Sequence, residues 1–387
     1  MVGAACVFGA AVAHAGSTER TLEARLSALA SHSPVPGFCV AVVDASGPRY
    51  SAGFGYADIA TRGPYTSGTV QEVASISKTL IGVAVMQAVE EGLLTLDEDL
   101  RPLLPFEVSN PRFPDAPITL AELATHTSGI IDREPFYDRS YYSGPQTAFA
   151  LKDFLASYLD RHGRFHSANN FGVSRPGARF DYSNIGATLA AYAIEAKRGV
   201  RYADTVHERI LGPLGMRASG WTPADAKAEA ATLYDEDRKV ITPYSYPDYP
   251  DGGLYSSCDD LGKFLSAMIA GYGGKNGVLT AASFRAMLSP RFAPTHPPRG
   301  VEADTPNEGV FWQFSAHGEI GHAGGDPGVS TFMFFDPKSG VGRILIANVG
   351  NDGVRPAVGE ALQAVWTALG AYARSSGPNA KLQHAAH

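Results

Sequence analysis

The first part of the chain shows the apolar spacing of a helix followed by a hairpin. Leucines three and four residues apart predict an amphipathic helix over residues 18–31. Residues 37–43 and 49–56 are predicted strands, because both are rich in apolar residues and they flank a turn-forming segment of Asp, Ser, Gly and Pro. A β-hairpin therefore follows the first helix.

The middle and the end of the chain follow different patterns. Residues 75–245 have the apolar spacing of helices separated by long loops. After residue 309 the pattern predicts three strands and a closing helix, over residues 310–315, 330–335, 343–349 and 360–372. We therefore predict an α+β fold (an α/β sandwich), in which the terminal segments form an antiparallel sheet flanked by helices and the middle forms an inserted, mainly helical lobe.

Charge and hydropathy exclude some classes of function. The chain has 32 basic and 39 acidic residues and a formal net charge of −7, with no run of Lys or Arg. A nucleic-acid-binding protein would need a basic patch. No apolar stretch reaches the roughly 20 residues of a membrane-spanning helix. We expect neither nucleic-acid binding nor stable membrane insertion.

The N-terminus resembles an export signal. Residues 2–13 are small and apolar, and Ala13-His14-Ala15 fits an A-x-A cleavage pattern. We predict a signal peptide over residues 1–15, although its positive n-region is missing and an ordinary N-terminal helix remains the alternative. Residues 375–387 are predicted to be a disordered tail.

Two cysteines remain once the predicted signal is removed. Cys39 and Cys258 allow one disulfide bond in an oxidising compartment. Distant cysteines in such a chain are more often separate buried thiols, and that is the expectation favoured here.

Ser75 and Lys78 are the strongest candidates for chemistry. Apolar positions predict a helix over residues 79–91, and an extended segment over 69–74 precedes it. Ser75 therefore lies where the chain enters a helix, with Lys78 about one turn further on the same face. A serine beside a lysine is a candidate nucleophile beside its proton acceptor. The alternative is that Ser75 only caps the helix.

Two further motifs follow in a meaningful order. Tyr182-Ser183-Asn184 contains Tyr-x-Asn, and His322-Ala323-Gly324 contains His-x-Gly. The order Ser-x-x-Lys, Tyr-x-Asn, His-x-Gly resembles the serine β-lactamase and penicillin-binding protein family, closest to its class C-like branch. The segments that share this resemblance beyond the motifs are 72–79, 118–129, 176–177, 213–216, 252–254 with 260–261, and 325–328.

The resemblance implies a role for each motif residue. Ser75 attacks a carbonyl and is acylated, while Lys78 and Tyr182 move its proton; which of the two is the base stays open. Asn184 orients Lys78 or holds a substrate amide, unless it only caps the helix that follows. For Tyr182 the alternative is a core tyrosine with a satisfied hydroxyl.

The last motif implies an oxyanion hole and a departure from the β-lactamases. The backbone N–H groups of Ser75 and Gly325 are the expected donors, and Gly324 lets the strand approach closely; a simple glycine bulge is the alternative. Family β-lactamases usually carry lysine where this chain has His322. A histidine is mostly neutral above neutral pH, and His-x-Gly is similar to the esterase, D-aminopeptidase and D-peptide hydrolase members.

These observations predict one catalytic domain over residues 16–374. Its α/β lobe spans about 16–74 and 250–374, and its helical lobe about 75–249.

The expected protein is an exported bacterial serine hydrolase, periplasmic or secreted, that acts on peptides, possibly with D-residues or from the cell wall. The alternatives are a carboxylesterase or transacylase with weak or no β-lactamase activity, and a non-catalytic peptide- or peptidoglycan-binding relative. No cofactor or metal site is predicted, the partner is a small molecule or peptide, and the oligomeric state is open.

Overall fold

An eight-stranded antiparallel sheet forms the centre of the protein. The computed structural model describes residues 5–137, 141–144, 150–226 and 230–376. The strands lie in the order β3-β2-β1-β12-β11-β10-β9-β8. Their bounds are Gly37–Asp44 (β1), Gly47–Asp58 (β2), Gly63–Pro64 (β3), Asn307–Glu308 (β8), Gln313–Phe314 (β9), Ile320–Asp326 (β10), Val329–Asp336 (β11) and Val341–Ala347 (β12).

The middle of the sheet joins the two ends of the chain. β1 pairs with β12 in the register Phe38↔Ala347 to Asp44↔Val341, and β12 pairs with β11. β1 is buried on both faces, which explains its continuous apolar sequence. The predicted α+β fold with one antiparallel sheet is thereby confirmed.

Helices cover both faces of the sheet. The helices are Ala5–His32 (α1), Lys78–Glu90 (α2), Leu120–Ala124 (α3), Leu151–Leu159 (α4), Asn184–Arg198 (α5), Tyr202–Val206 (α6), Gly212–Leu214 (α7), Cys258–Tyr272 (α8), Ala281–Met287 (α9) and Pro356–Ser376 (α10). Helices α1 and α10 pack on one face with alternate β1 residues Phe38, Val40 and Val42. The other β1 face, including Ala41 and Val43, packs against α8. The period of two along a strand divides the protein into these two cores.

Four short strands form two further pairs outside the large sheet. Gln71–Glu72 (β4) pairs with Tyr255–Ser256 (β7), and Tyr142–Ser143 (β5) pairs with Tyr244–Ser245 (β6). The β4–β7 pair fixes the chain just before Ser75 against the segment that enters α8. This placement brings distant parts of the sequence to one site.

Two expectations about individual segments need correction. Cys39 and Cys258 are joined by a disulfide bond that links β1 to the first residue of α8, so the expectation of separate thiols was wrong. Sequence spacing gave no sign of this contact, because the pairing depends on α8 lying across β1. The strand predicted over 310–315 contains only Gln313–Phe314, since Phe311 adopts a positive φ of 58° that breaks an extended segment.

The two ends of the chain bear on other expectations. Helix α1 continues through the predicted cleavage site, and residues 1–4 lie outside the described part. Ser375 and Ser376 belong to α10, although they fall in the predicted tail, and residues 377–387 are outside the described part. Within the described residues, no helix combines the length and apolar character needed to cross a membrane.

Candidate active site

Ser75 is held at the start of a helix by a strained turn. Residues Ala74–Ser77 form one 3-10 turn that leads directly into α2. Ala74 has a φ of 48°, a left-handed conformation that costs energy for a residue with a Cβ. Ser75 is partly exposed while the residues on both sides of it are buried. The N-cap of α2 is Ser77, so Ser75 is not the cap of this helix.

Lys78 lies beneath Ser75 in a dense set of oxygen atoms. Its Nζ donates to Ser75 Oγ at 3.0 Å and to Asn184 Oδ1 at 2.6 Å. It also donates to the backbone oxygen of Asp251 at 2.9 Å and to Asp251 Oδ2 at 3.0 Å. Burial disfavours the ammonium form, but the charges of Asp251 and Tyr182 outweigh burial and raise the pKa of Lys78 above its ordinary value.

Tyr182 joins the same cluster from the start of α5. Its ring centroid lies 5.0 Å from Lys78 Nζ, and its ring stacks on His126 with the centroids 4.2 Å apart. Burial raises the pKa of Tyr182, while Lys78 and a hydrogen bond with Ser75 oppose that rise. The hydroxyl therefore faces both the candidate nucleophile and the ammonium group. Tyr182 is not an isolated core tyrosine.

Asp132 anchors the N-terminus of α5 and with it Asn184. Its carboxylate accepts from the backbone N–H of Asn184 at 2.6 Å and of Ile185 at 3.1 Å, and from Ser183 Oγ at 2.8 Å. The N-cap is Ser183, whose Oγ also accepts from the N–H of Gly186. Asn184 is thus free of the capping role, and its side chain contacts Lys78 instead.

Strand β10 passes beside Ser75 and contributes the glycines. A Cβ built on Gly324 would lie 3.0 Å from the backbone N of Ser75, 2.8 Å from the oxygen of Val73 and 2.4 Å from Thr331 Oγ1. A Cβ on Gly325 would meet nothing within 4 Å. Gly324 is therefore required for close approach of the strand, and Gly325 opens towards free space.

His322 is a neutral imidazole in this arrangement. Burial, and next the charge of Lys78, lower its pKa to about 3. Its Nδ1 contacts the backbone oxygen of Ala323. A carbonyl oxygen can only accept, so Nδ1 carries the proton and Nε2 keeps a lone pair. The position that would carry a cation in the related β-lactamases holds an uncharged group here.

The motif residues line one open pocket. Its volume is about 360 Å³, and its walls include Ser75, Tyr182, His322, Gly324 and Gly325. Lys78 and Asn184 lie behind Ser75, in hydrogen-bond contact with each other. The structure thus brings all seven predicted site residues to one place.

The aromatic residues of the nearby loops mainly pack on one another. Tyr141 contacts Tyr137, Tyr244 and Tyr246, and its hydroxyl donates to Asp326 Oδ1 at 2.7 Å. Burial, and to a lesser extent the charge of Asp251, raise the pKa of Asp326 to about 7. These contacts hold the loops against the end of β10.

Three residues of the site were missed in the sequence. Asp251 precedes the Gly252-Gly253-Leu254 segment, His126 is the first residue of the His-Thr-Ser-Gly segment at 126–129, and Asp132 lies three residues after that segment. Each lies within, or within three residues of, a stretch that shares the family resemblance. That proximity was the available signal, but an isolated Asp or His has no spacing that would reveal its contacts.

Comparison with known proteins agrees with this geometry. A family model described as Beta-lactamase matches residues 22–365. The chain is 26% identical over 306 residues to penicillin-binding protein 4* of Bacillus subtilis (strain 168), covering 73% of this chain and 62% of that protein. It therefore spans about three fifths of the length of this relative.

Two other matches are similar in extent. The chain is 23% identical over 289 residues to the D-alanyl-D-alanine-carboxypeptidase/endopeptidase AmpH of Escherichia coli (strain K12), covering 72% of this chain and 70% of that protein. The structure matches D-amino acid amidase from Ochrobactrum anthropi SV3, solved with L-phenylalanine amide, with a TM-score of 0.66 and 21% identity, covering 91% and 98% of the two chains. This last likeness concerns the fold.

Proposed function

The chain belongs to the beta-lactamase family of serine hydrolases, and from this premise we propose that it is an exported enzyme that cleaves peptide amides through an acyl-enzyme on Ser75. The observation that carries the proposal is the contact of 3.0 Å between Ser75 Oγ and Lys78 Nζ at the edge of an open pocket. A serine so placed has its proton-transfer groups within reach before substrate arrives.

The chemistry follows from the two sides of the pocket. Ser75 attacks the carbonyl carbon while its proton passes to the Lys78–Tyr182 pair. The negative oxygen that forms is stabilised by the N–H groups of Ser75 and Gly325, which act where charge develops. The leaving amine takes the proton back, and water then cleaves the ester bond to Ser75.

The neutral His322 supports a substrate that has no carboxylate in the part that lies next to His322. An imidazole with a free lone pair on Nε2 accepts from a hydroxyl or amide N–H and gives no attraction to an anion. Internal peptide bonds and amides are therefore favoured over free C-terminal carboxylates and β-lactam drugs. Similarity to a D-alanyl-D-alanine-carboxypeptidase/endopeptidase supports a peptide that contains D-residues, and the neutral His322 favours the endopeptidase type of cleavage over the carboxypeptidase type.

Hydrolysis of small esters is the second candidate. The same neutral His322 sets no charge requirement, and an ester is a more reactive acyl donor than an amide. A carboxylesterase or transacylase would use Ser75, Lys78 and Tyr182 in the same way. A role restricted to binding is disfavoured, because all three groups are present and in contact.

Export is supported by the disulfide bond between Cys39 and Cys258. Disulfides persist in oxidising compartments such as the bacterial periplasm. We place the enzyme in the periplasm or outside the cell, with cleavage after Ala15. N-terminal sequencing of protein recovered from the envelope or medium should begin at Gly16, whereas an unprocessed cytoplasmic product would contradict export.

A substrate panel tests the proposed function. Purified enzyme is assayed against D- and L-amino-acid p-nitroanilides, blocked D-alanyl peptides, p-nitrophenyl esters and a chromogenic cephalosporin, with the Ser75→Ala variant as control. We expect turnover of amides with D-residues and little hydrolysis of the cephalosporin. A higher kcat/KM for the cephalosporin than for every amide and ester would contradict the proposal.

A further inference from the structure

Lys78 meets a carboxylate that lies outside the three sequence motifs. Asp251 ends the 3-10 turn Tyr249–Asp251, and its Oδ2 lies 3.0 Å from Lys78 Nζ. The side chains are 0% and 5% exposed, so this ion pair is shielded from water and from salt. Removing one partner of such a pair leaves an uncompensated charge.

The neighbours of Lys78 decide how many protons it carries. Nζ lies within hydrogen-bond distance of Asn184 Oδ1, the backbone oxygen of Asp251 and Asp251 Oδ2, in addition to Ser75 Oγ. The first three are amide, carbonyl and carboxylate oxygens, which only accept hydrogen bonds. An ammonium group has three N–H donors and satisfies all three, whereas a neutral amine has two. An ammonium group has no lone pair with which to take the proton of Ser75.

We propose that Asp251 is a positioning residue whose carboxylate holds Lys78 as an ammonium ion, so that Tyr182 receives the proton of Ser75. The inference rests on the proposed function, in which Ser75 is acylated. In the step, the Ser75 O–H bond breaks, its proton goes to the phenolate oxygen of Tyr182, and Oγ bonds to the carbonyl carbon, whose π electrons move to oxygen. On collapse the bond to the leaving group breaks, and that group takes the proton from Tyr182.

The remaining titratable groups leave Asp251 as the main counter-charge. Burial raises the pKa of Glu72 and of Asp248 well above the ordinary values and lowers the pKa of His126 and His322. Burial thus favours the uncharged form of each of these four groups. Burial also raises the pKa of Asp251, but the ammonium group of Lys78 opposes that rise. Two further acids face the cluster: burial raises the pKa of Asp132 to about 6 and that of Asp326 to about 7. Burial also raises the pKa values of the three tyrosines that face it, Tyr137, Tyr141 and Tyr246.

The pH dependence of Ser75 labelling tests this role without knowledge of the substrate. The second-order rate constant for reaction with a fluorophosphonate is measured by intact mass from about pH 6 to pH 11, a range that includes neutral pH and the ordinary pKa of tyrosine. In the wild type the rate should rise through this range, because Tyr182 accepts a proton only as the phenolate. Asp251→Asn keeps the backbone oxygen and the side-chain shape but removes the charge that favours protonation of Lys78 and Tyr182. The rising part of the curve of labelling rate against pH, called the rising limb below, should therefore move to lower pH by about one to three units.

Asp248→Asn is the matched control. Asp248 is buried close to Asp251 but is not a hydrogen-bond partner of Lys78, and burial raises its pKa well above the ordinary value. Because Asp248 does not contact Lys78, an amide in its place should leave the rising limb where it is. A limb that moves equally in both variants would contradict a specific role for Asp251.

The outcomes separate this inference from the proposed function. If Asp251→Asn is labelled more slowly but its rising limb lies at the same pH as in the wild type, Asp251 has only a structural role. That result would overturn the inference about Asp251 and leave the proposed function intact. Wild-type protein that is never labelled would overturn the proposed function and the inference with it. If Asp251→Asn does not fold, the 15N chemical shift of Lys78 Nζ in the wild type decides: an ammonium signal that persists at about pH 11, above the ordinary pKa of lysine, supports the inference, and an amine signal at that pH overturns it.

Discussion

The two walls of the site differ in where they keep charge. The helical wall, formed by Lys78, Tyr182, Asn184 and Asp251, contains a buried ion pair with four short contacts around one nitrogen. The strand wall, formed by His322, Gly324 and Gly325, contains no ionised side chain. It offers backbone N–H groups, a neutral imidazole and space.

The difference matches the work proposed for each wall. Moving the proton of a serine needs groups whose protonation states are set in advance, and burial with fixed partners sets them. Stabilising a carbonyl oxygen needs donors at fixed positions and close approach of the backbone. The charged wall therefore governs rate and pH dependence, and the strand wall governs which substrates fit.

Removing the proton-transfer pair should have the largest effect. Lys78→Met and Tyr182→Phe should each lower kcat/KM for a reactive ester by about 10²–10⁴-fold, because general acid–base catalysis contributes that much. The double variant should lose little more than the worse single variant, since residues that act as a unit are not additive. Losses that multiply fully would contradict a shared role, and thermal denaturation of each variant controls for folding.

On the strand wall, adding one methyl group should affect activity very differently at two adjacent glycines. Gly324→Ala places a Cβ 2.4 Å from Thr331 Oγ1 and 3.0 Å from the backbone N of Ser75, so the strand must move from the nucleophile. We expect a loss of about 10²–10³-fold in kcat, comparable to removal of one oxyanion donor. Gly325→Ala meets nothing within 4 Å and should lose much less. Equal losses in kcat for both variants would contradict the assigned approach of β10.

Adding charge to the strand wall should change selectivity. His322→Lys introduces a cation where the wild type has a neutral imidazole. A charge-assisted hydrogen bond to a carboxylate is worth about 1–3 kcal/mol, or roughly 5- to 150-fold in kcat/KM for anionic substrates. The ratio of cephalosporin to p-nitrophenyl ester hydrolysis should rise accordingly. An unchanged ratio would show that His322 does not govern recognition of anions.

The buried acids should make stability depend on pH with a definite sign. Burial raises the pKa of Asp132 to about 6 and of Asp326 to about 7 from an ordinary 3.8. The folded state thus binds these protons more tightly than the unfolded state, so stability is greatest below about pH 4 for these groups and falls as pH rises through 6 and 7.

Chemical denaturation measures this smallest effect. We expect a decrease of about 1–3 kcal/mol in the free energy of unfolding, allowing for partial exposure of Asp326. Asp326→Asn should remove the part of that decrease that occurs near pH 7. Stability that rises between pH 5 and 7, with no such change in the variant, would contradict the pKa assignments.

The sequence predicted the motif residues better than the charge network, although it predicted no strand over Ile320–Asp326, where β10 lies. Periodicity located β1, β2 and α2, and the spacing of Ser75 and Lys78 on one helical face followed from local geometry. Asp251 reaches Lys78 only because the 3-10 turn Tyr249–Asp251 packs against α2 and α5. The disulfide between Cys39 and Cys258 depends in the same way on tertiary packing. Such contacts join residues far apart in the chain, and no local pattern specifies them.

Covalent labelling of Ser75 tests the central claim most directly. Wild-type protein, Ser75→Ala and Ser77→Ala are exposed to a fluorophosphonate, and the modified peptide is identified by mass spectrometry. We predict one adduct on Ser75 in the wild type and in Ser77→Ala, and no adduct in Ser75→Ala that remains folded by circular dichroism. An adduct that persists in Ser75→Ala, or that maps to Ser77 or Ser183 in the wild type, would contradict the assignment of the nucleophile.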